Sequence, residues 1–187
     1  MSQLERLIAD AEDEVPAAES DAYEAARFDD PGERETAAAW LRANPTASGI
    51  LLLLALRREA PEAYASIPPE TRAAILTAAM RDRASLNDFG YIDEDGGYDR
   101  EAGHALLELG DAAVEPLAEE LADANPGQLE GSEEATLTEI YGLRRADFAY
   151  RFLTRILGAE PEFDPDPAVR DTHIAALRKR LRLRPPA

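Results

Sequence analysis

Ala102, Ala105, Leu106 and Leu109 fall at i, i+3, i+4 and i+7, and beyond a Gly110-Asp111 turn Val114, Leu117, Ala118 and Leu121 repeat the spacing. Two apolar stripes of helical period joined by a tight turn predict an αα-hairpin. A second hairpin is predicted from residues 133–141 and 146–157, the latter carrying Ala149, Phe152, Leu153, Ile156 and Leu157 and ending at Gly158. Asp164-Pro-Asp-Pro167 then supplies an N-cap and an N1 proline for a last helix. The first half is punctuated in the same way. An amphipathic helix is expected over residues 2–14, and an acidic, alanine-rich segment runs on to Phe28. Asp30-Pro31 opens a helix to about Asn44, and a helix over 46–59 is apolar nearly all round and therefore buried. A short turn follows Pro61, and a further helix runs from Pro69 to about Arg83.

Two stretches lie 71 residues apart in near-register: Tyr98 falls on Val169, Ala102 on His173, Ala105 on Ala176 and Leu106 on Leu177. Self-similarity at a fixed period is the mark of stacked repeats, each burying its apolar face against its neighbours. Asp164-Pro-Asp-Pro-Ala-Val-Arg170 with Ala176-Leu177, and Ala105-Leu106 with Leu109-Gly-Asp-Ala-Ala-Val114 and Pro116-Leu117, resemble bacterial HEAT-like repeats, including the short type of phycobilin lyases. The resemblance covers roughly residues 98–183. It implies an all-α fold, a short right-handed α-solenoid of helical hairpins with about eight to ten helices, in which the second helix of each pair lines a concave surface. Most proteins of that kind are scaffolds, adaptors or inhibitory partners. Two positions depart from the pattern: His173 stands where a small apolar residue is usual, and the N-terminal helices lack the Asp-Pro-x-x-Val-Arg signature. The expected organisation is a partly ordered acidic helical cap over 1–30, the repeat domain over 31–183 and a tail over 184–187.

Charge narrows the partners. Thirty-eight acidic residues against twenty basic ones give −18, and Lys179 is the single lysine. Such a surface disfavours DNA, RNA and anionic lipid, whose phosphates reward cations, and favours a basic protein partner. Arg178, Lys179, Arg180, Arg182 and Arg184 against Asp171 alone make residues 171–187 +4, read as a solvated helix end whose cations suit the C-terminal dipole. The longest apolar run, residues 50–56, is far below the roughly 20 residues a bilayer requires, and residues 5–13 are too acidic for a signal peptide. With no cysteine, neither disulfides nor thiolate metal sites arise. A cytoplasmic protein is expected.

No complete catalytic set is present. Glu101 and His104 have the i, i+3 spacing of carboxylate-bridged di-iron helices, but His173 is preceded at the matching position by Arg170, so no second pair exists. His104 is therefore read as a solvent-side residue, His173 as a core imidazole, and no metal, cofactor or catalytic residue is expected. The 85–97 segment is long for an inter-helix loop and joins Phe89 and Tyr91 to Asp93, Glu94 and Asp95. It is read as a solvated inter-repeat insertion whose aromatics tuck into the core, with a contact role as the alternative. An EF-hand begun at Asp93 would place Tyr98 at the required glycine and His104 at the required glutamate, which excludes it.

The candidate partner surface combines that segment (Phe89, Tyr91, Asp93, Asp95, Tyr98) with Glu115, Glu119, Glu120 and Asp123, expected to face away from the core as an acidic concave strip. Arg144, Arg145, Arg151 and Arg155 form a rival basic patch. The leading expectation is a non-enzymatic interaction module holding a basic segment. A HEAT-like lyase or small-molecule binder using Tyr98 and His104, and an acidic nucleic-acid mimic or immunity-type inhibitor, are the alternatives.

Overall fold

The computed structural model describes residues 1–92 and 97–182, and its contacts divide the chain into two compact units, Met1–Arg83 and Ala84–Ala187. The fold is all-α, as the periodicity predicts.

In the first unit Ser2 opens α1 (Gln3–Glu12). Its hydroxyl accepts from the Glu5 N–H at 3.2 Å while its own N–H donates to Glu5 Oε2 at 2.7 Å, so each residue satisfies a backbone donor of the other's turn. Ser20 opens α2 (Asp21–Glu24) by accepting from the Tyr23 N–H at 2.9 Å. Asp30 and Pro31 start α3 (Pro31–Ala43), with Asp30 accepting from the Gly32 N–H at 2.6 Å. A 3-10 turn over Ala47–Gly49 leads into α4 (Ile50–Glu59), followed by α5 (Pro61–Ala65) and α6 (Pro69–Asp82). Every side chain from Ile50 to Leu56 has 0% exposure, because α4 is surrounded by α1, α3, α5 and α6 and has no solvent face.

The contacts divide the chain between residues 83 and 84, inside the span expected as a repeat domain over 31–183. Leu7, Tyr23, Ala26 and Phe28 are buried, so residues 1–30 contribute to the same core as α4. Arg58 lies 4.3 Å from the Tyr23 ring and donates to its carbonyl at 2.6 Å, and buried Arg83 donates to the carbonyls of Ala11 and Val15. These guanidinium bonds tie α1, α2 and the turn at Val15 to α4 and the end of α6, a service that apolar stripes do not reveal.

The second unit contains β1 (Gly90–Tyr91), β2 (Tyr98–Asp99), α7 (Glu101–Leu109), α8 (Val114–Glu120), α9 (Ser132–Tyr141), α10 (Arg145–Ile156) and α11 (Pro167–Arg180). Its core is aromatic at the centre: Phe89, Phe148 and Phe152 are all at 0% exposure, and α10 packs on α7, α8 and α11. Among the described residues of the segment expected as an inter-repeat loop, Asn87–Phe89 form a 3-10 turn and Gly90–Tyr91 a strand that pairs antiparallel with Tyr98–Asp99, Gly90 opposite Asp99 and Tyr91 opposite Tyr98. Gly90 has φ 101°, and a Cβ there would stand 1.9 Å from the Tyr98 carbonyl oxygen, so the close strand approach requires glycine. Asn87 fastens this segment by exchanging two 2.8 Å bonds with the Glu130 backbone.

The 71-residue offset is matched by burial at some positions only. Gly103 and Ile174 are both buried, as are Leu106 and Leu177, whereas Ala105 is buried and its counterpart Ala176 exposed. Asp99 and Arg170 share the offset, and both are buried ion-pair partners of α10. Asp99 meets Arg151 at 2.8 Å, and Arg170 meets Asp147 at 3.1 Å.

Candidate docking groove

Helices α8 and α11 both pack on α10, and between them runs an open groove of about 600 Å³ that continues along α8 into a recess of about 410 Å³ through the shared residues Ala122 and Arg178. Its floor is apolar: Leu121 is 3%, Ala146 4% and Ile174 6% exposed. The small side chains of Ala118, Ala122 and Ala175 leave the space open; a run of leucines would have filled it. Along the α8 side stand Glu115 and Glu119, one turn apart and both exposed. Along the α11 side stand Arg178 and exposed Lys179, in the last turn of the helix where cations complement the dipole. Farther along, Arg144 and Asp171 close that side with a 2.5 Å pair. Asp147 and Asp171 stabilise the Arg144 cation and raise its pKa above the ordinary guanidinium value, so the guanidinium stays charged across any practical pH.

Of the acidic strip expected on α8, Glu115 and Glu119 are at the surface, but Glu120 is only 5% exposed. The apolar stripe places Glu120 on the inward side, beside Leu117 and Leu121, and the expectation that it faces solvent is corrected. Asp123 lies past the helix end and is half-buried; its carboxylate accepts from the Asn125 N–H at 2.9 Å and lies 3.8 Å from Arg145. It serves the turn into α10 instead of extending the strip.

Phe89, expected as a contact residue, is wholly buried 6.3 Å from the Phe152 ring and is corrected to core. Tyr91 and Tyr98 stack at 5.6 Å across the β-ladder, with Tyr98 52% exposed, so these two do present an aromatic surface. Asp93 and Asp95 lie outside the described residues. The basic patch expected on α10 does not exist as a free cationic surface: Arg144 pairs with Asp147 and Asp171, Arg145 with Asp123, and Arg151 and Arg155 with Asp99. Each arginine had an acid brought to it from another segment, which spacing within one helix cannot reveal.

His104 is exposed, and Glu101 beside it is half-buried, which pushes its carboxyl above the ordinary range while His104 draws it back partway. His173 stacks at 6.2 Å on Tyr150 and lies 3.5 Å from Glu162. It is half-buried at the edge of α11, so the expectation of a core imidazole is corrected. Among the described residues no group of three or more His, Asp or Glu is arranged to hold a metal, and no helix is long and apolar enough to cross a membrane.

The α11 side of the groove was missed because the +4 tail reads as a helix end in one dimension. Its signal was the alternation of Ile174, Ala175 and Arg178, which puts small and basic residues beside an apolar one on the side turned toward α8. Compared with models of known protein families, with characterised proteins and with solved structures, the chain matches none. The functional reading accordingly rests on the groove.

Proposed function

We propose that this chain is a non-enzymatic, HEAT-like protein-interaction module of the cytoplasm, an adaptor, scaffold or inhibitory partner, that docks a segment of another protein in the groove between α8 and α11. The observation that carries this reading is an apolar floor left uncovered beside α8 and α11 and continuous, through Ala122 and Arg178, with a recess edged by Glu115 and Glu119. Charged edges around a desolvated centre are the usual anatomy of a docking surface. A basic flank on the partner would face the α8 side and speed its approach to a chain of net charge −18. Kinship with HEAT-like repeats is supported by the Asp166-Pro-Ala-Val-Arg170 start of α11 and by the burial shared between Leu106 and Leu177.

Affinity capture from the native cytoplasm, with the wild-type chain beside Glu115→Lys/Glu119→Lys and Ala122→Arg, tests the reading. A stoichiometric protein recovered by the wild type, lost with either variant and weakened by salt, is the expected result. Equal recovery by all three chains overturns the groove as the site. Glu120 is left unchanged in this test because it is buried and its reversal would report on folding.

A further inference from the structure

We infer that the groove's occupant is an amphipathic helix carrying cations on one flank and anions on the other, and not a uniformly basic segment; the inference rests on the docking reading above. The first step is geometric. Because α8 and α11 each pack on α10, the groove is a gap in a layer of helices, floored by Leu121, Ala146 and Ile174. A helix laid along α8 and α11, over the first turn of α10, fills such a gap, and a helix lying in an apolar groove presents one stripe at i, i+3, i+4 and i+7. An extended chain would turn part of its backbone donors and acceptors toward the apolar floor of Leu121, Ala146 and Ile174, whereas a helix satisfies its own.

Charge supplies the second step. The two sides of the groove have opposite sign: exposed Glu115 and Glu119 on α8, Arg178 and exposed Lys179 on α11. Among the described residues Glu115, Glu119 and Lys179 make no ion pair within the chain. A helix seated between them has two flanks, one turned to each side. A flank of lysines against α8 and a flank of glutamates against α11 satisfies both, whereas a helix basic on both flanks meets Lys179 with a like charge. Exchanging the flanks does not abolish the fit, since the helix can turn end for end, so the pattern fixes the direction in which the partner lies. A second copy docked groove to groove fits less well, because each would present a concave surface.

The whole-molecule field argues the opposite order. At −18 the chain attracts the most basic ligand regardless of site, so nonspecific attraction ranks a doubly basic helix first. That conflict makes the inference testable with three labelled, stapled helical peptides of one length and one Leu/Ala stripe, bearing Lys and Glu on opposite flanks, Lys on both, or Glu on both. Fluorescence anisotropy titrations at about 0.15 M salt use the wild type, Glu115→Lys/Glu119→Lys and the groove-filling variant Ala122→Arg.

The expected result is that the mixed peptide binds the wild type roughly tenfold more tightly than either other. The doubly acidic peptide should become the best ligand of the reversed chain, and Ala122→Arg should weaken every peptide. If the doubly basic peptide binds best while Ala122→Arg still abolishes it, the inference falls and the docking reading stands. Peptide binding that ignores Ala122→Arg, or no binding at all, overturns both. Self-association of the unliganded chain that Ala122→Arg disrupts would put a second copy in the groove and likewise overturn the inference.

Discussion

From Ile50 to Leu56 the central helix of the first unit, α4, buries nothing but aliphatic side chains, whereas α10, central to the second, buries Asp147 and Arg151 on the turns that hold Phe148 and Phe152. An aliphatic surface accepts any neighbour of suitable shape and can slide against it at modest cost. A buried charge accepts only its partner. Asp147 takes Arg144 at 3.0 Å and Arg170 at 3.1 Å, and Arg151 takes Asp99 at 2.8 Å while donating to the Tyr91 carbonyl at 2.9 Å. The two cores therefore hold helices by different means, and the second adds register to cohesion. Register matters there because α10 and α11 shape the groove.

The sharpest way to break this contrast is to remove one charge from α10. Asp147→Asn leaves the Arg170 guanidinium buried without its carboxylate, and a cost of about 3–5 kcal/mol is expected in urea denaturation followed by circular dichroism. Arg170→Lys should not be mild either. The guanidinium donates to four backbone carbonyls, those of Tyr141, Gly142, Asp164 and Pro165, at 2.7 to 3.1 Å. An ammonium has three donors and no planar fork, so at least one of these carbonyls loses its bond. A cost below about 1 kcal/mol for both variants would show that water replaces the lost partners and that the charges do not set register.

In the first unit Leu53→Ala should cost about 2–5 kcal/mol through lost burial and the cavity it leaves. Trp40, the only tryptophan, sits on α3 of the same unit and reports the transition by its fluorescence. Leu53→Met, by contrast, should stay within about 1.5 kcal/mol, since volume is conserved. If the methionine variant cost as much as the alanine one, the aliphatic core would be as exacting as the charged one and the contrast would collapse.

Much of the helical order was legible because caps and prolines are local. Asp30-Pro31, Pro69 and Asp166-Pro167 begin helices where their chemistry predicts, and the all-apolar run of α4 is buried as its lack of a polar face requires. What was not legible depends on pairing at a distance. Arg151 and Asp99 lie far apart in sequence, and no periodicity in either segment announces the other. Glu120 reads as one more acidic residue of a solvated strip until the turn after α8 shows which side of that helix faces inward. The groove was half legible: Glu115 and Glu119 stand out by spacing, whereas its α11 side required knowing that α8 and α11 flank the same helix.

Salt separates the two kinds of electrostatics more gently. Raising it from about 0.1 M to about 1 M shortens the screening length from about 10 to about 3 Å, which relieves repulsion among surface carboxylates and barely reaches the buried pairs of α10. With −18 net charge the intact chain should gain stability, on the order of 1 kcal/mol or roughly 2–4 °C in the thermal midpoint. A fall in midpoint would mean that exposed pairs such as Arg42 with Glu35 contribute more than the repulsion removes.

The smallest expected effect compares two glutamates, each in the first turn of a helix, one per unit. Glu5 accepts from the Ser2 backbone and hydroxyl-capped turn, and these bonds hold its carboxyl below the ordinary 4.5; burial holds Glu101 above it, with His104 opposing. Their contributions to folding have opposite signs. Glu5, with its folded pKa lowered, stabilises the chain above 4.5 and loses that contribution as pH falls through the lowered value. Glu101, with its folded pKa raised, favours folding below 4.5 and progressively less as pH rises through the raised value, leaving a penalty at neutrality. Glu5→Gln should therefore be less stable than the wild type at pH 7 and Glu101→Gln more stable. Both differences should shrink as pH falls toward and below 4.5, read from thermal midpoints taken across pH 3 to 7. A Glu101→Gln variant that is less stable at pH 7 would mean that the α7 dipole and His104 together outweigh burial, so the first turn of α7 would resemble that of α1 after all.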